Sequence, residues 1–378
     1  MAFEFQTAPS IHVEIGGASK LASILKARFG SVQRVFFVTD KVLVDLGVVA
    51  GALADLEEAG VDVLLYSEVV PDPPEDVVLA AAAAAERFGA DVVVGIGGGS
   101  SLDTAKLVSV LANTDQPLST MYGVNQVQGT RLPLMLAPTT AGTGSEVTQI
   151  SIVTVGETAK MGVSSPVLFP DLALLDAELT YGLPAPITAA TGIDAMVHAI
   201  EAYTSRLRKN PISDQLARAA LKTLHANIEK VCVDGADLEA REAMLLASMQ
   251  AGQAFANAPV AAVHALAYPL GATFHVAHGL SNSLVLPSVL TFNAEAAGSA
   301  YAELAELIGL PASSGALVEE LQRIAEATKI ETRLRQVGVG EDDLEQLATD
   351  AMKIDRLLMN NPREMTFDAA LACYRSVL

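Results

Sequence analysis

Length, composition and charge exclude several classes of protein before any motif is considered. The chain has 378 residues, of which 51% are hydrophobic and 18% charged, so it is long enough for two domains and too apolar to be disordered. Its formal net charge is −20 at pH 7. So acidic a chain is not expected to bind nucleic acid or an anionic membrane surface.

The cysteines and the amino terminus bear on where the protein works. Only Cys232 and Cys373 are present, far apart, so no disulfide framework is expected and a reducing compartment fits. The first ten residues lack a basic stretch followed by an apolar run, and the most apolar segment, 258–270, is too short to span a bilayer. We therefore predict a cytoplasmic protein with no membrane partner.

Strand-like and helix-like segments alternate through the first half of the chain. Short runs rich in β-branched and apolar residues predict strands at 34–40, 61–66, 91–95 and 133–137. Between them, helices are predicted at 41–56, from Pro73 through the alanines at 80–85, and at 100–112. Such alternation predicts a mostly parallel sheet with helices on both faces.

The second half of the chain has a different pattern, in which apolar residues recur at helical spacing and strand signals are scarce. Helices are predicted at 187–205, 214–229, 238–255 and 316–326. We therefore predict an α/β domain at 1–183, followed by an all-α domain at 184–378.

A glycine loop at 95–100 lies between the third predicted strand and the helix that follows it. Glycines there allow a close approach of the backbone to a ligand, and the helix amino terminus offers N–H groups that suit a pyrophosphate. A tight turn without a ligand is the alternative. The polar loop at 138–146, after the fourth strand, also lies where open α/β sheets bind ligands, or it caps a helix.

Asp40 ends the first predicted strand. A carboxylate there suits the ribose hydroxyls of NAD and disfavours the extra phosphate of NADP, although Asp40 could equally cap the next helix. In the usual dinucleotide fingerprint the glycines precede the acidic residue, whereas here they follow it. The chain therefore does not have the standard fingerprint.

Four residues of the second half could hold a metal ion. Asp194 and His198 lie four residues apart on an apolar helix, which places both side chains on one face. His264 lies on another apolar segment, and His278 begins the next. One carboxylate and three imidazoles suit Fe²⁺ or Zn²⁺, although any single histidine is more often an ordinary core residue.

Five stretches, in order along nearly the whole chain, resemble the iron-containing alcohol dehydrogenase family, which shares its fold with glycerol dehydrogenase and dehydroquinate synthase. They are residues 97–106, 138–148, 192–201, 264–279 and 361–363. The resemblance implies a dehydroquinate synthase-like fold, with an amino-terminal parallel-sheet α/β domain for the nucleotide and an all-α carboxy-terminal domain for the metal and substrate.

The resemblance also implies roles for individual residues. The implied metal ligands are Asp194, His198, His264 and His278. The implied cofactor-binding residues are Gly97, Gly98, Gly99, Ser100, Asp103, Thr139, Thr140, Thr143, Lys160 and Asp40. Several family members carry another histidine where this chain has Tyr268, so we assign candidate catalytic roles to Tyr268 and to His275, which could instead be a surface residue.

These features predict an oxidoreductase that transfers a hydride between NAD(H) and a small alcohol, aldehyde or ketone bound to Fe²⁺ or Zn²⁺. Phe255, Tyr268 and Leu357 are candidate walls of the substrate pocket, or core residues. A maleylacetate reductase or a glycerol dehydrogenase is the nearest alternative. A dehydroquinate synthase-like lyase would need more basic residues near the histidines, and a non-enzymatic binding protein would not need both motifs. The family implies a homodimer or a higher oligomer, with sheet edges in contact.

Overall fold

The computed structural model describes residues 2–156 and 159–378. The chain divides into two compact units. The α/β unit contains residues 6–140 and 144–181, and the helical unit contains residues 182–378 together with 141–143 and the described residues up to Phe5. Among the described residues, none of the helices is long and apolar enough to cross a membrane.

The α/β unit is built on a six-stranded parallel sheet with strand order β1-β9-β6-β4-β2-β3. A second sheet has the order β5-β8-β7, in which β7 and β8 are antiparallel. The elements are β1 Ile11–Val13, α1 Leu21–Phe29, β2 Arg34–Asp40, α2 Lys41–Asp45, α3 Ala50–Glu58, β3 Asp62–Val69, α4 Glu75–Phe88, β4 Val92–Gly97, α5 Gly99–Leu111, β5 Gly123–Val124, β6 Leu134–Pro138, β7 Ile150–Val155, β8 Ala159–Ser164 and β9 Leu172–Leu175.

Apolar side chains of the central strands alternate between two cores, one on each face of the large sheet. Val35 and Phe37 of β2 pack into the core with α1 and α3, whereas Phe36 and Val38 pack into the core with α4 and α5. This alternation is what a strand with a two-residue repeat produces when both faces are covered. The predicted parallel sheet with helices on both faces is confirmed.

One predicted helix of this unit was wrong in its extent. The segment 41–56 forms two helices, α2 and α3, because the chain turns at Gly47. Gly47 has φ 73°, a left-handed conformation that glycine adopts at little cost and that a continuous α-helix does not contain. The strands β1 and β9 and the β7–β8 pair were not predicted.

The helical unit is built around α6, which is buried along most of its length and packs against α7, α8 and α10. Its helices are α6 Ala185–Thr204, α7 Pro211–Val233, α8 Leu238–Asn257, α9 Ala262–Phe274, α10 His278–Leu307, α11 Ser314–Ala327, α12 Leu344–Ala351, α13 Asp355–Leu358 and α14 Phe367–Ser376. The predicted all-α second half is confirmed.

Candidate metal centre and nucleotide loops

The four predicted metal ligands come together in the helical unit. Asp194 and His198 lie one turn apart on α6, His264 lies on α9, and His278 is the first residue of α10. One ligand atom from each of the four side chains can be chosen so that all lie within 4.8 Å of one another. Oδ1 of Asp194 lies 3.9, 3.8 and 3.7 Å from Nε2 of His198, His264 and His278, respectively.

A close helix contact brings His278 to this point. Gly279 follows His278, and a Cβ atom at that position would lie only 2.3 Å from the carbonyl oxygen of Ala190 on α6. Any residue other than glycine would therefore push the start of α10 away from α6. The glycine thus allows His278 to approach Asp194.

Burial and charge set the protonation of this cluster. Burial alone raises the pKa of Asp194, but the three neighbouring histidines and an amide hydrogen bond from Asn282 outweigh it, so the pKa is lowered. Burial lowers the pKa of His198 to about 3, although Asp194 opposes the shift. At neutral pH the carboxylate is therefore ionised and the His198 imidazole neutral, which are the forms that bind a metal ion.

Two contacts outside the cluster orient the imidazoles. Nδ1 of His264 donates to Oε2 of Glu201 at 2.6 Å, and the N–H of Val263 donates to the other carboxylate oxygen at 2.7 Å. Nδ1 of His198 donates to the carbonyl of Gly142 at 3.2 Å. With the proton on Nδ1, each ring directs the lone pair of Nε2 toward Asp194, as metal-binding histidines require.

Sequence reasoning missed Glu201 and Asn282 as members of this site. Glu201 is 4% exposed on α6, two turns after Asp194, and a buried acid on an apolar helix was the signal available for it. Asn282 lies one turn after His278, and its amide donates to Asp194. Nothing in the sequence pattern marked that amide.

The two candidate catalytic residues differ in placement. The Tyr268 ring is half-buried, and its centroid lies 5.8 Å from that of His278. His275 is exposed and ends α9 in a left-handed conformation, which agrees with its reading as a surface residue. Of the candidate pocket walls, Phe255 stacks on His198 with centroids 4.3 Å apart, whereas Leu357 is 3% exposed and belongs to the core.

The glycine loop of the α/β unit lies at the junction of β4 and α5. Gly97 ends the strand, where a Cβ would lie 2.5 Å from Cβ of Ser101. A Cβ on Gly98 would meet only Thr140, at 3.9 Å, and no side chain caps the helix that follows. Gly99 begins α5 and Ser100 follows it. The first amides of α5 are thus arranged as an anion site requires.

The residues after β6 are tied to this loop. Thr139 donates its N–H to the carbonyl of Gly97 at 3.0 Å, and Thr140 follows it, whereas Thr143 belongs to the helical unit. Asp103 on α5 accepts from the Ser145 hydroxyl at 2.6 Å and from the N–H of Ile152 at 2.9 Å. Asp103 therefore connects α5 to the polar loop and to β7, and a direct contact with a cofactor stays a prediction.

Asp40 and Lys160 both have partners within the α/β unit. Asp40 accepts from the N–H of Leu43 at 3.0 Å, so it caps α2, which was the alternative reading of this residue. Lys160 on β8 forms an ion pair with Asp72 at 2.8 Å and donates to Thr154 at 2.9 Å. Their roles toward a cofactor stay predictions.

Comparison with known proteins agrees with this geometry. Two family models, described as iron-containing alcohol dehydrogenase and as the C-terminal part of the Fe-containing alcohol dehydrogenase family, match residues 8–177 and 188–378. Long-chain-alcohol dehydrogenase 1 of Geobacillus thermodenitrificans is 40% identical over 94% of this chain and 91% of its own length.

Solved structures match over the full length. A 1,3-propanediol oxidoreductase is 32% identical with a TM-score of 0.95, covering 100% of both chains. The sulfoacetaldehyde reductase of Bifidobacterium kashiwanohense, solved with NAD⁺, is 29% identical with a TM-score of 0.90, covering 100% of this chain and 99% of its own. With both family models matched, the chain belongs to the iron-containing alcohol dehydrogenase family and is an oxidoreductase of that family.

Proposed function

We propose that this protein transfers a hydride between NAD(H) and a small alcohol, aldehyde or ketone at a divalent cation held by Asp194, His198, His264 and His278. The observation that carries the proposal is the convergence of these four side chains, with their ligand atoms within 4.8 Å of one another. Three of the four side chains are buried and His278 is exposed, and acceptors so close together are a favourable arrangement for a cation and an unfavourable one without it.

The chemistry of the donors fits a borderline divalent metal. Three imidazole nitrogens and one carboxylate oxygen, with no thiolate, suit Fe²⁺ or Zn²⁺ and disfavour softer ions. The family name favours Fe²⁺, and Zn²⁺ is the alternative. When bound, such a cation lowers the pKa of an alcohol hydroxyl and polarises a carbonyl group.

The protein's own residues hold and orient the reactants. Glu201 fixes the ring of His264 by accepting a hydrogen bond from its Nδ1–H group, which leaves Nε2 facing Asp194. In the α/β unit, the amides of Gly98, Gly99 and Ser100 bind the pyrophosphate of the cofactor, and Thr139 and Thr140 line the neighbouring loop. Asp40 favours NAD over NADP.

The side chains around the four proposed ligands suit a small neutral substrate best. The side chains seen against the ligands are an acid, an amide and two aromatic rings: Glu201, Asn282, Phe255 and Tyr268. None of these favours an anion such as a dicarboxylate or a phosphorylated sugar acid, which the maleylacetate reductase and dehydroquinate synthase-like alternatives would require. Tyr268, beside His278, is the candidate to contact the substrate.

We also propose where the reactants bind, where the protein acts and how it assembles. We assign the cofactor to residues 1–183 and the metal and substrate to residues 184–378. The protein acts in the cytoplasm. It works as a homodimer or a higher oligomer in which sheet edges meet.

The test is NADH formation with a panel of small alcohols and diols, after the metal is removed and Fe²⁺ or Zn²⁺ is added back. We expect activity to return with the metal and to be lost in His264→Ala, which removes one ligand. His225→Ala is the matched control, because His225 is a histidine of the same unit whose Nε2 contacts Glu320 and which is not among the four proposed ligands. Full activity in the stripped protein, or none with either cation, would overturn the proposal.

A further inference from the structure

Tyr268 connects the proposed metal ligands with a positively charged side chain. Its ring lies beside that of His278, with centroids 5.8 Å apart, and the guanidinium carbon of Arg356 lies over the same ring, 5.9 Å from its centroid. Arg356 belongs to α13, which packs against α9, the helix that carries Tyr268. Arg356 and His278 are both exposed, so a molecule from solvent can reach both side chains.

Among the described residues, four other cations lie over an aromatic ring, and each has an oxygen acceptor within the protein. Three of them pair with carboxylates: Lys209 with Asp214 at 2.7 Å, Arg218 with Glu303 at 4.0 Å and Arg363 with Glu295 at 2.6 Å. The fourth, Arg28, donates to a main-chain carbonyl at 3.1 Å. In the described part of the chain, the Arg356 guanidinium has only the ring of Tyr268 as a partner.

This difference points to an acceptor that is not part of the chain. The protein has 44 acidic residues against 24 lysines and arginines, so carboxylate partners are abundant, and Arg356 lacks one in spite of that. A guanidinium carries its N–H donors in a planar fork that matches the two oxygens of a carboxylate. Contact of its face with a ring leaves the N–H edge available for a ligand.

We propose that Arg356 binds the carboxylate of a substrate whose other end is the alcohol or aldehyde group at the metal site. The protein then acts on small ω-hydroxy acids as well as on neutral alcohols. The inference rests on the proposed function, because it needs hydride transfer at the metal ligands. The side chains against the ligands suit a neutral group, and the reacting end of an ω-hydroxy acid is neutral.

The reaction balances without a further reactant. In the direction of oxidation, the terminal carbon loses a hydride to NAD⁺ and its hydroxyl group loses a proton to water, which gives an aldehyde. The carboxylate at the far end keeps its charge and takes no part in the bond changes. Arg356 therefore determines specificity, because it contacts the substrate away from the reacting atoms.

The distance between the two binding groups should select the length of the substrate. Arg356 and the metal ligands are held on packed helices at a fixed separation, so only some chain lengths place both ends of the substrate correctly. In a series of ω-hydroxy acids of increasing length, we therefore expect the preference for the acid over a neutral analogue to be largest at one length.

The experiment compares each ω-hydroxy acid with its carboxamide, which has the same length but no charge. NADH formation by the metal-loaded protein gives kcat and KM for both compounds. The protein with NADH bound cannot oxidise the alcohol, so the change in NADH fluorescence gives the affinity for each compound without turnover. The ratio of the two affinities isolates the contribution of the charge.

Arg356→Leu should lower the preference for the acid by about 10-fold, chiefly through KM, because a charge-assisted hydrogen bond is lost. Turnover of the carboxamide should stay that of the wild type, which shows in the same assay that the variant is folded. Arg356→Lys keeps the charge without the fork and should retain part of the preference. Arg218→Leu is the matched control, since Arg218 lies over Tyr203 at 6.0 Å but pairs with Glu303, and it should change neither compound.

The outcomes separate this inference from the proposed function. If no alcohol reduces NAD⁺ with either cation, both are overturned. If neutral alcohols are oxidised but the preference for the acid is the same in the wild type and Arg356→Leu, only the role of Arg356 is overturned. An equal loss for acid and carboxamide would also overturn that role, because Arg356 would then only hold the ring of Tyr268. A loss confined to the acid, and largest at one chain length, supports it.

Discussion

Each unit of the protein buries a cluster of polar side chains, and the two clusters differ in where the positive charge comes from. In the α/β unit, the ammonium of the fully buried Lys106 lies 2.7 Å from the Ser145 hydroxyl and the Ile150 carbonyl, 3.1 Å from Thr148 and 3.5 Å from Asp103. We call these residues the Lys106 cluster. Each of these four acceptors has the same cation as its partner.

In the helical unit, Asp194 and its three histidines form the ligand cluster. Oδ1 of Asp194 and the imidazole nitrogens lie 3.7 to 3.9 Å apart, which is too far for a hydrogen bond and suits an ion between them. Among the described residues, no lysine or arginine makes an ion pair with Asp194. The comparison teaches that the Lys106 cluster has its own cation, which we take as structural, whereas the ligand cluster has none, in agreement with the proposal that it binds a cation from outside.

The largest effect should follow from removing the cation of the Lys106 cluster. Lys106→Met removes the cation from its four acceptors and leaves the Asp103 carboxylate with neutral donors only, from Ser145 and Ile152, so we expect the free energy of unfolding to fall by about 3–5 kcal/mol. Chemical denaturation of the metal-free protein measures it. Because the cation is structural, the metal affinity of any folded fraction should remain that of the wild type.

Lys41→Met is the matched control in the same unit. Lys41 pairs with Asp45 at 3.0 Å, but both side chains are largely exposed, so the loss should stay below about 1 kcal/mol. If Lys106→Met were no more destabilising than Lys41→Met, the Lys106 cluster would not be structural, and the comparison with the ligand cluster would fail.

A second prediction concerns Glu146, which neighbours the Lys106 cluster and is 1% exposed. Burial raises the pKa of Glu146 to about 7, and Lys106 opposes the shift only in part. A carboxyl whose pKa is raised by folding stabilises the protein fully below about pH 4.5, and this contribution is lost as the pH rises through about 7.

As the pH rises from about 4.5 to about 7, the wild type should therefore lose stability relative to Glu146→Gln. The loss in its free energy of unfolding should be at most about 3 kcal/mol for a pKa raised to about 7. Urea denaturation at several pH values measures the difference. If the two proteins kept a constant difference from pH 4.5 to pH 7.5, Glu146 would not be held protonated in the folded chain.

The central strands and the long helices could be predicted from sequence because burial leaves a strong local pattern. The β-branched runs of β2 and β4 and the apolar periodicity of α8 can be recognised in the short stretch of sequence that forms each element. The strands β1 and β9 have only three and four residues and pair with each other across most of the α/β unit. Such pairing depends on the assembled sheet, so no local pattern announces it.

In the candidate site, too, some residues could be predicted from local sequence and others depend on the assembled structure. The spacing of Asp194 and His198 predicts one helix face without any structure. The helices α9 and α10 converge on this face, and their approach depends on close packing at Gly279. The contact of Glu201 with His264 joins residues 63 positions apart in the sequence. Sequence reasoning therefore found candidate ligands and missed the residues that support them, while the roles of all of them stay predictions for experiment.

The smallest of the three effects tests the support that Glu201 gives to the ligand cluster. Glu201→Ala removes both acceptors, for Nδ1 of His264 and for the N–H of Val263, so the imidazole loses the bond that fixes its proton and its direction. We expect metal affinity to fall by about 10- to 100-fold, measured by competition with a chelator. Glu201→Gln keeps one oxygen and should lose less metal affinity than Glu201→Ala, because the amide oxygen can still accept a hydrogen bond from one N–H group. Equal affinity in Glu201→Ala and the wild type would mean that packing alone orients His264. A graded loss from glutamine to alanine would mean that the ligand cluster needs a second carboxylate outside it, a dependence that the Lys106 cluster, with its own cation, does not have.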